Sequence, residues 1–417
     1  MKIKYIVIIF LLVLFGVCFS LYRKFFAFEI HDSNVKEEEN YIFIDSGTTI
    51  KQTNLYVKKG KKFEIIGNIE KNISLKFVNL IDNFLLIDGF NEEYYVSIND
   101  VEVCENCVFE KNQRYLEYIV FNENVITDNN TSFYDSENNL LYTLNLSYEF
   151  PIIIKEDNKY GVEFNDELLY IKKEDVKLVE NAFNTNKKNS DGVGVLNYHF
   201  FYDQNNSKEK SECNTVICES LTQFQNELNY LKENNILTIT TEELEFYIDG
   251  KINLPNSVLI TIDDGWMIGH GLDLLESNKM YGCVFLITSW WDNIDFINDY
   301  EYIEFNSHGD KLHDVGVCSG GQGGGIKCLE REVLLNDLKI SSEKLNGSTV
   351  IAYPFYEYNN YSIDVLKESG YTMAFAGESN YGDNLVHVGD NKYELPRFVM
   401  TNYTTLNDLD NYLSNIK

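Results

Sequence analysis

The chain has 417 residues, enough for two to three folded units at roughly 150 residues each. Its 35 Lys+Arg against 65 Asp+Glu leave a net charge of −30, which excludes a basic nucleic-acid surface and docking on anionic lipid by charge alone. Disorder is excluded as well: the chain is 44% hydrophobic and 14% aromatic, and its acid is dispersed rather than gathered into a tail.

Residues 1–25 read as an uncleaved signal anchor. Lys2 and Lys4 precede the apolar run Tyr5 to Leu21, and Arg23 and Lys24 follow it. The run is at the short end of a membrane span, and bulky Tyr22 and Phe25 stand where a cleavage site would need small residues. The expectation is a single-pass protein of the cell membrane with its bulk outside the cell. Cysteine usage points the same way: six of the 8 cysteines form close pairs, Cys104/Cys107, Cys213/Cys218 and Cys318/Cys328, suited to short disulfide loops in an oxidising compartment. Cys-Glu-Asn-Cys at 104–107 also has zinc-ligand spacing, but a second Cys-x-x-Cys is missing. Cys283, in the apolar run 283–288, reads as a buried thiol.

Residues 26–40 form a polar, acidic stalk. From 41 to 181 short β-rich runs alternate with Asn, Asp and Gly, and helical periodicity is nearly absent. Within this region 95–101 (YVSINDV) echoes 170–176 (YIKKEDV). Each closes a group of short strands, a pattern that resembles two small Src-homology-3-like barrels in tandem. A spacer and a module that binds wall or glycan are equally compatible with it. Residues 182–192 are an unpatterned linker.

Residues 193–417 change texture. Strand-like 193–199 is followed by a helical stripe of Leu221, Phe224, Leu228 and Leu231. Further strands are predicted at 257–262, 283–288, 302–305, 349–354, 372–376 and 395–400, with helices at 267–279, 329–345 and 362–369. Such alternation implies an α/β unit on a parallel sheet, of barrel type.

The chemistry gathers at predicted strand ends. The strand 257–262 runs into Asp263-Asp264-Gly265, where α/β barrels carry their active sites. His308 and His313 follow the strand 302–305 and are five residues apart, about 140° on a helix, so a loop rather than one helical face must present both. Asp264, His308 and His313 would make an O,N,N ligand set with open positions, suited to a catalytic Zn²⁺ or a neighbouring divalent ion such as Co²⁺ or Ni²⁺. Asp263 would stay free beside it as a general base.

These motifs resemble those of the polysaccharide deacetylases of the NodB-homology type, carbohydrate esterase family 4. Thr261-Ile262-Asp263-Asp264-Gly265 is similar to their Thr-Phe-Asp-Asp-Gly motif, and 307–313 (SHGDKLH) to their histidine motif. Residues 351–355 (IAYPF) resemble the third motif, and Leu395-Pro396-Arg397 a late strand. Leu196-Asn197-Tyr198-His199 is similar to the Tyr-His strand of the branch that deacetylates poly-N-acetylglucosamine. The resemblance implies a distorted (β/α)7 barrel. It implies Asp263 as catalytic base, Asp264, His308 and His313 as metal ligands, His199 as general acid, and the Phe355 backbone N–H as oxyanion donor. The implied activity is metal-dependent removal of acetyl groups from an N-acetylglucosamine-containing cell-surface polysaccharide, peptidoglycan or poly-N-acetylglucosamine.

The sequence departs from the family in places. Gly309 and Tyr356 stand where Ser or Thr and Gly are usual, and the arginine that commonly orients the base is absent, with Ala352 near its place. Leu385-Val386-His387 spells the family's other general-acid motif, so His387 competes with His199. The insert Cys318–Cys328 reads as a disulfide-pinned rim of the cleft. Trp290 and Trp291 suit either a sugar face or a buried barrel rim. The departures leave a rival reading, a degenerate deacetylase domain that binds glycan or anchors to the wall.

Overall fold

The computed structural model describes residues 46–88, 93–104, 113–180, 189–378 and 382–416. The predicted anchor and stalk, Cys107 and most of the linker lie outside them. Among the described residues no helix is long and apolar enough to cross a membrane. The chain divides into two compact units. One comprises the N-terminal region to Phe183; the other comprises Asn184–Lys417 together with Leu116–Val120.

The N-terminal unit is β-rich, as its pattern predicts. Among the described residues twelve short strands follow one another in a single antiparallel path, and three more form a small separate sheet. Tight turns fall where Asn and Asp accept left-handed backbone: Asp82 and Asn83 link the hairpin Ser74–Ile81/Phe84–Ile87, and Asn165 and Asp166 link Lys159–Phe164/Glu167–Lys172. The echoed segments share a form: strand Tyr94–Ser97, 3₁₀ turn Ile98–Asp100, strand Val101–Val103, and again Glu167–Lys172, Lys173–Asp175, Val176–Glu180. The halves are not two separate barrels. Strand Leu140–Leu144 pairs with Lys62–Ile69 across them, and one apolar cluster takes Leu55, Leu75 and Val96 from the first half and Phe133, Tyr142 and Phe164 from the second.

The α/β unit is built on seven parallel strands: β1 (Val193–Tyr198), β2 (Ser257–Asp264), β3 (Gly282–Leu286), β4 (Ile303–Ser307), β5 (Val350–Ala352), β6 (Met373–Phe375) and β7 (Phe398–Val399). Their order across the sheet is β6-β5-β4-β3-β2-β1-β7, with a two-residue strand, Leu237–Thr238, alongside the start of β2. Every residue of β1, β2 and β3 is buried, as unbroken apolar runs in a parallel sheet require. The expected barrel does not close. The two edges form no ladder: the end of β6 and the segment before β7 meet at a one-residue bridge, Phe375 to Leu395, with a few backbone hydrogen bonds around it, so the unit is a half-barrel. The physical reason is length: β6 and β7 have three and two residues, too few for a ladder between them.

Helices α1 (Leu221–Glu233), α2 (Gly269–Asn278), α3 (Arg331–Lys344) and α4 (Asn360–Glu368) join the strands. In α1, Phe224, Leu228 and Leu231 are buried against Leu196, Ile260 and Ile262 of the sheet. All strands run the same way, so their carboxyl ends share one rim, and β1, β2, β4 and β5 deliver the chemistry-bearing residues there.

Candidate active site

At the end of β2 the chain breaks sharply. Asp264 has φ +71° and Gly265 φ +107°, and a Cβ on Gly265 would meet Leu286 at 2.7 Å. The turn sends the two carboxylates of Asp263 and Asp264 to different partners.

Asp264 Oδ1 lies 3.4 Å from His308 Nε2 and 3.2 Å from His313 Nε2. One ligand atom from each of the three residues lies within 4.8 Å of the others. His308 Nδ1 is 2.9 Å from the Ala352 carbonyl of β5 and donates its proton there, so that in the neutral ring Nε2 carries the lone pair. Asp264 Oδ1 is itself buried and takes no hydrogen bond. Three ligand atoms this close together suit a cation between them. Charge agrees: two buried carboxylates, Asp263 and Asp264, face one buried guanidinium, Arg397, so the pocket carries an excess negative charge. The donor set therefore fits a divalent metal.

The histidine loop is held from behind. Asp337 of α3 accepts the N–H groups of Asp310 and Lys311, both at 2.8 Å. Asp310 in turn accepts from Thr288 Oγ1 at 2.8 Å and Lys344 Nζ at 2.7 Å. Gly309 has φ +81°, and a Cβ there would press on Leu312 at 2.9 Å, which accounts for glycine at this place. Burial and the neighbouring His308 push the His313 pKa down to about 4.

Asp263 is fully buried and held by Arg397 through a two-pronged pair, Nη1 to Oδ1 at 2.7 Å and Nη2 to Oδ2 at 2.9 Å. Arg397 Nε donates to the Ala376 carbonyl at 2.7 Å. Burial alone would raise the Asp263 pKa, but Arg397 and His308 override it and hold it at about 2. The orienting arginine expected to be absent is thus present, supplied by the segment leading into β7 rather than by the neighbourhood of Ala352. Sequence reading missed it because the partners are 134 residues apart; its signal was a lone arginine in an apolar strand, 395–400.

His199 follows β1 and is buried. Its Nε2 lies 3.3 Å from the Tyr356 hydroxyl, and its Nδ1 has no partner. Burial lowers its pKa against the pull of Asp263 and Asp264, so it belongs to the same cluster. His387 does not. Its Nδ1 is 2.7 Å from the Asp191 carbonyl, its Nε2 3.1 Å from Asp383, and the neighbouring Val386 bridges to Val193 at the start of β1. That is the opposite end of the strand from His199, about 20 Å away at 3.3 Å per residue.

Phe355 lies in a 3₁₀ turn, Pro354–Tyr356, directly after β5, and its ring is 4.1 Å from the His313 ring. Phe355 and Tyr356 both have left-handed backbone, φ +58° and +60°, a strained form for residues with side chains. The rim loop closes over this turn. Cys318 and Cys328 are disulfide-bonded, as are Cys213 and Cys218, and Cys283 is a buried free thiol. Glu357 accepts the N–H groups of Gln322, Gly323 and Gly324 at 2.6, 3.1 and 2.9 Å and pairs with Lys327 at 2.8 Å. Trp290 is exposed with its ring 6.1 Å from His313, whereas Trp291 packs on Phe296. Trp266, exposed on the turn after Gly265 and resting on Phe200, is a further aromatic at the rim that the sequence reading did not single out.

Residues 251–374 match the polysaccharide deacetylase family model. No curated protein matches the chain. Among solved structures, a de-N-acetylase from Aggregatibacter actinomycetemcomitans is 20% identical, covering 53% of this chain and 100% of its own, with a TM-score of 0.45. IcaB from Ammonifex degensii is 19% identical over 54% of this chain and 97% of its own, TM-score 0.45. BC0361, a polysaccharide deacetylase from Bacillus cereus, is 15% identical over 87% of this chain and 100% of its own, TM-score 0.42. Residues 251–374, within the α/β unit, are thus similar to the polysaccharide deacetylases, hydrolases that act on carbon–nitrogen bonds.

Proposed function

We propose that the protein is a metal-dependent N-deacetylase acting on an N-acetylglucosamine-containing cell-surface polysaccharide, peptidoglycan or poly-N-acetylglucosamine. The observation that carries this is the unpartnered Asp264 Oδ1 between two imidazole Nε2 atoms, beside a second aspartate clamped by arginine. Asp264, His308 and His313 would hold a divalent ion, Zn²⁺ most simply. When bound, that ion supplies Lewis acidity toward the acetyl carbonyl and lowers the pKa of a water.

The chain's own residues do the rest. Asp263 has about four lone-pair sites, of which Arg397 takes two, so it can still accept a proton from the attacking water. The backbone N–H of Phe355, on its strained turn beside His313, is the donor to the developing oxyanion. His199 supplies a proton to the departing amine. Exposed Trp266 and Trp290 offer flat faces to sugar rings. The apolar run 5–21 would tether the protein to the cell membrane with this site outside the cell, next to such a polymer. A degenerate glycan-binding domain is disfavoured, since Arg397 fills the role whose absence suggested it.

The test is acetate release from N-acetylglucosamine oligomers and purified peptidoglycan with added Zn²⁺ or Co²⁺. Release should require metal and vanish in Asp263→Asn, which should still bind metal, whereas His308→Ala should lose both. No release from either polymer by a metal-loaded wild type would overturn the proposal.

A further inference from the structure

Tyr356 occupies a costly place. Its backbone is left-handed, it follows another left-handed residue, and its half-buried ring fits only because residue 377 is glycine, where a Cβ would come within 2.9 Å of the Tyr356 ring. A glycine at 356 would avoid the strain, so the side chain must do something. Its hydroxyl lies 2.8 Å from Asn197 Oδ1 and 3.3 Å from His199 Nε2, and its ring lies 5.4 Å from the Arg397 guanidinium carbon. One side chain therefore touches the imidazole and braces the arginine that holds Asp263.

Proton accounting fixes the direction of each bond. Asn197 Nδ2 is 3.3 Å from the Tyr198 carbonyl and donates to it, which leaves the amide oxygen facing Tyr356. A phenol has one proton, and here it goes to Asn197. Toward His199 the hydroxyl can offer only a lone pair, so the proton between them must sit on Nε2. Burial pushes the Tyr356 pKa up, which keeps the hydroxyl protonated and this arrangement intact. The imidazole's remaining nitrogen, Nδ1, is buried and has no partner.

We infer that Tyr356 is a positioning residue that tethers His199 through Nε2–H and thereby assigns Nδ1 as the atom that protonates the leaving amine. The inference rests on the deacetylase reading for its chemistry, but the tether itself does not. In the step, the C–N bond of the tetrahedral adduct breaks and its electron pair goes to nitrogen. Nδ1, bare at rest, first takes up the proton that left the attacking water; nitrogen then takes it from the imidazolium, and neutral His199 is left with its proton on Nε2, still held by Tyr356. The acetyl carbon leaves as acetate with the oxygen of the attacking water.

Two measurements on the full chain test this, using Tyr356→Phe, which keeps the ring and removes only the hydroxyl. Long-range proton–nitrogen NMR of histidine-labelled protein, with His199 assigned by its loss in His199→Gln, should show Nε2–H and a bare Nδ1 in the wild type and a mixture of tautomers in the variant. In steady-state deacetylation, Tyr356→Phe should lower kcat about tenfold with KM within about twofold. It should have almost no further effect in a His199→Gln background, because it acts through that ring. A wild-type His199 protonated on Nδ1, or the same loss of kcat in both backgrounds, would overturn the inference and reduce Tyr356 to packing. If the wild type releases no acetate, the deacetylase reading fails, and the NMR measurement still decides the tether.

Discussion

Replacing Arg397 with methionine should cost stability in a way that depends on pH. Arg397 is completely buried, and its two-pronged pair with Asp263 is the main reason that carboxyl, itself 1% exposed, stays ionised. The fall in the Asp263 pKa from 3.8 to about 2 is worth about 2 kcal/mol at neutral pH. Breaking a buried pair from one side costs about 3–5 kcal/mol, because the remaining charge is stranded. The sign follows from linkage. In the wild type the lowered pKa gives stability that is present above the unfolded value and lost as pH falls through about 2. In Arg397→Met, burial acts on Asp263 with its strongest opponent removed and raises its pKa. The carboxyl then takes up a proton as pH falls, and the penalty shrinks. Urea unfolding of metal-free protein at pH 8 and pH 5, followed by tryptophan fluorescence, is the assay, since all 3 tryptophans lie in the α/β unit. The loss should be several kcal/mol at pH 8 and clearly smaller at pH 5. An equal loss at both, or one below about 1 kcal/mol at pH 8, would refute the reasoning.

Other consequences are as direct. Asp337→Asn weakens the acceptor for the Asp310 and Lys311 N–H groups behind the histidine loop, so Zn²⁺ affinity measured against a competing chelator should fall about 10-fold or more with the fold intact. His387→Ala should leave acetate release within about twofold of wild type, whereas His199→Ala should lower it about 100-fold. Glu357→Ala removes the acceptor of three successive loop N–H groups, and limited proteolysis should then nick between Cys318 and Cys328, where the wild type resists.

The residues of the candidate metal site were legible because each lies at or within a few positions of the end of an apolar strand, so a short window of sequence carries both strand and ligand. Asp263-Asp264-Gly265 and His308 to His313 are of this kind. The seven parallel strands β1 to β7 were legible for the same reason, apart from their ends, whereas the short strands Phe200–Tyr202, Cys218–Ser220 and Leu237–Thr238 were not; 395–400 shrinks to two residues because its start serves Arg397 and the bridge to Phe375. What was not legible is pairing across the sheet. Nothing local tells Arg397 to meet Asp263, Asp337 to meet the histidine loop, or Tyr356 to meet Asn197. The helix Thr241–Ile248 was missed although Thr240 and Glu243 spell a capping box, because its eight residues show too little periodicity to announce it. The fusion of the two β halves depends on an edge pairing, Tyr142 with Ile69, that a repeat in sequence does not encode.

The long sequence distances within the site have a kinetic meaning. Asp263 waits 134 residues for Arg397, and Asn197 waits 159 for Tyr356. Closing such loops is entropically slow, so these contacts belong to the late stages of folding. Until β7 docks beside β1, a half-assembled sheet holds Asp263 without its counter-charge, and the ionised carboxyl resists being buried. The last strand to pair therefore completes the sheet and brings the counter-charge of Asp263 with it.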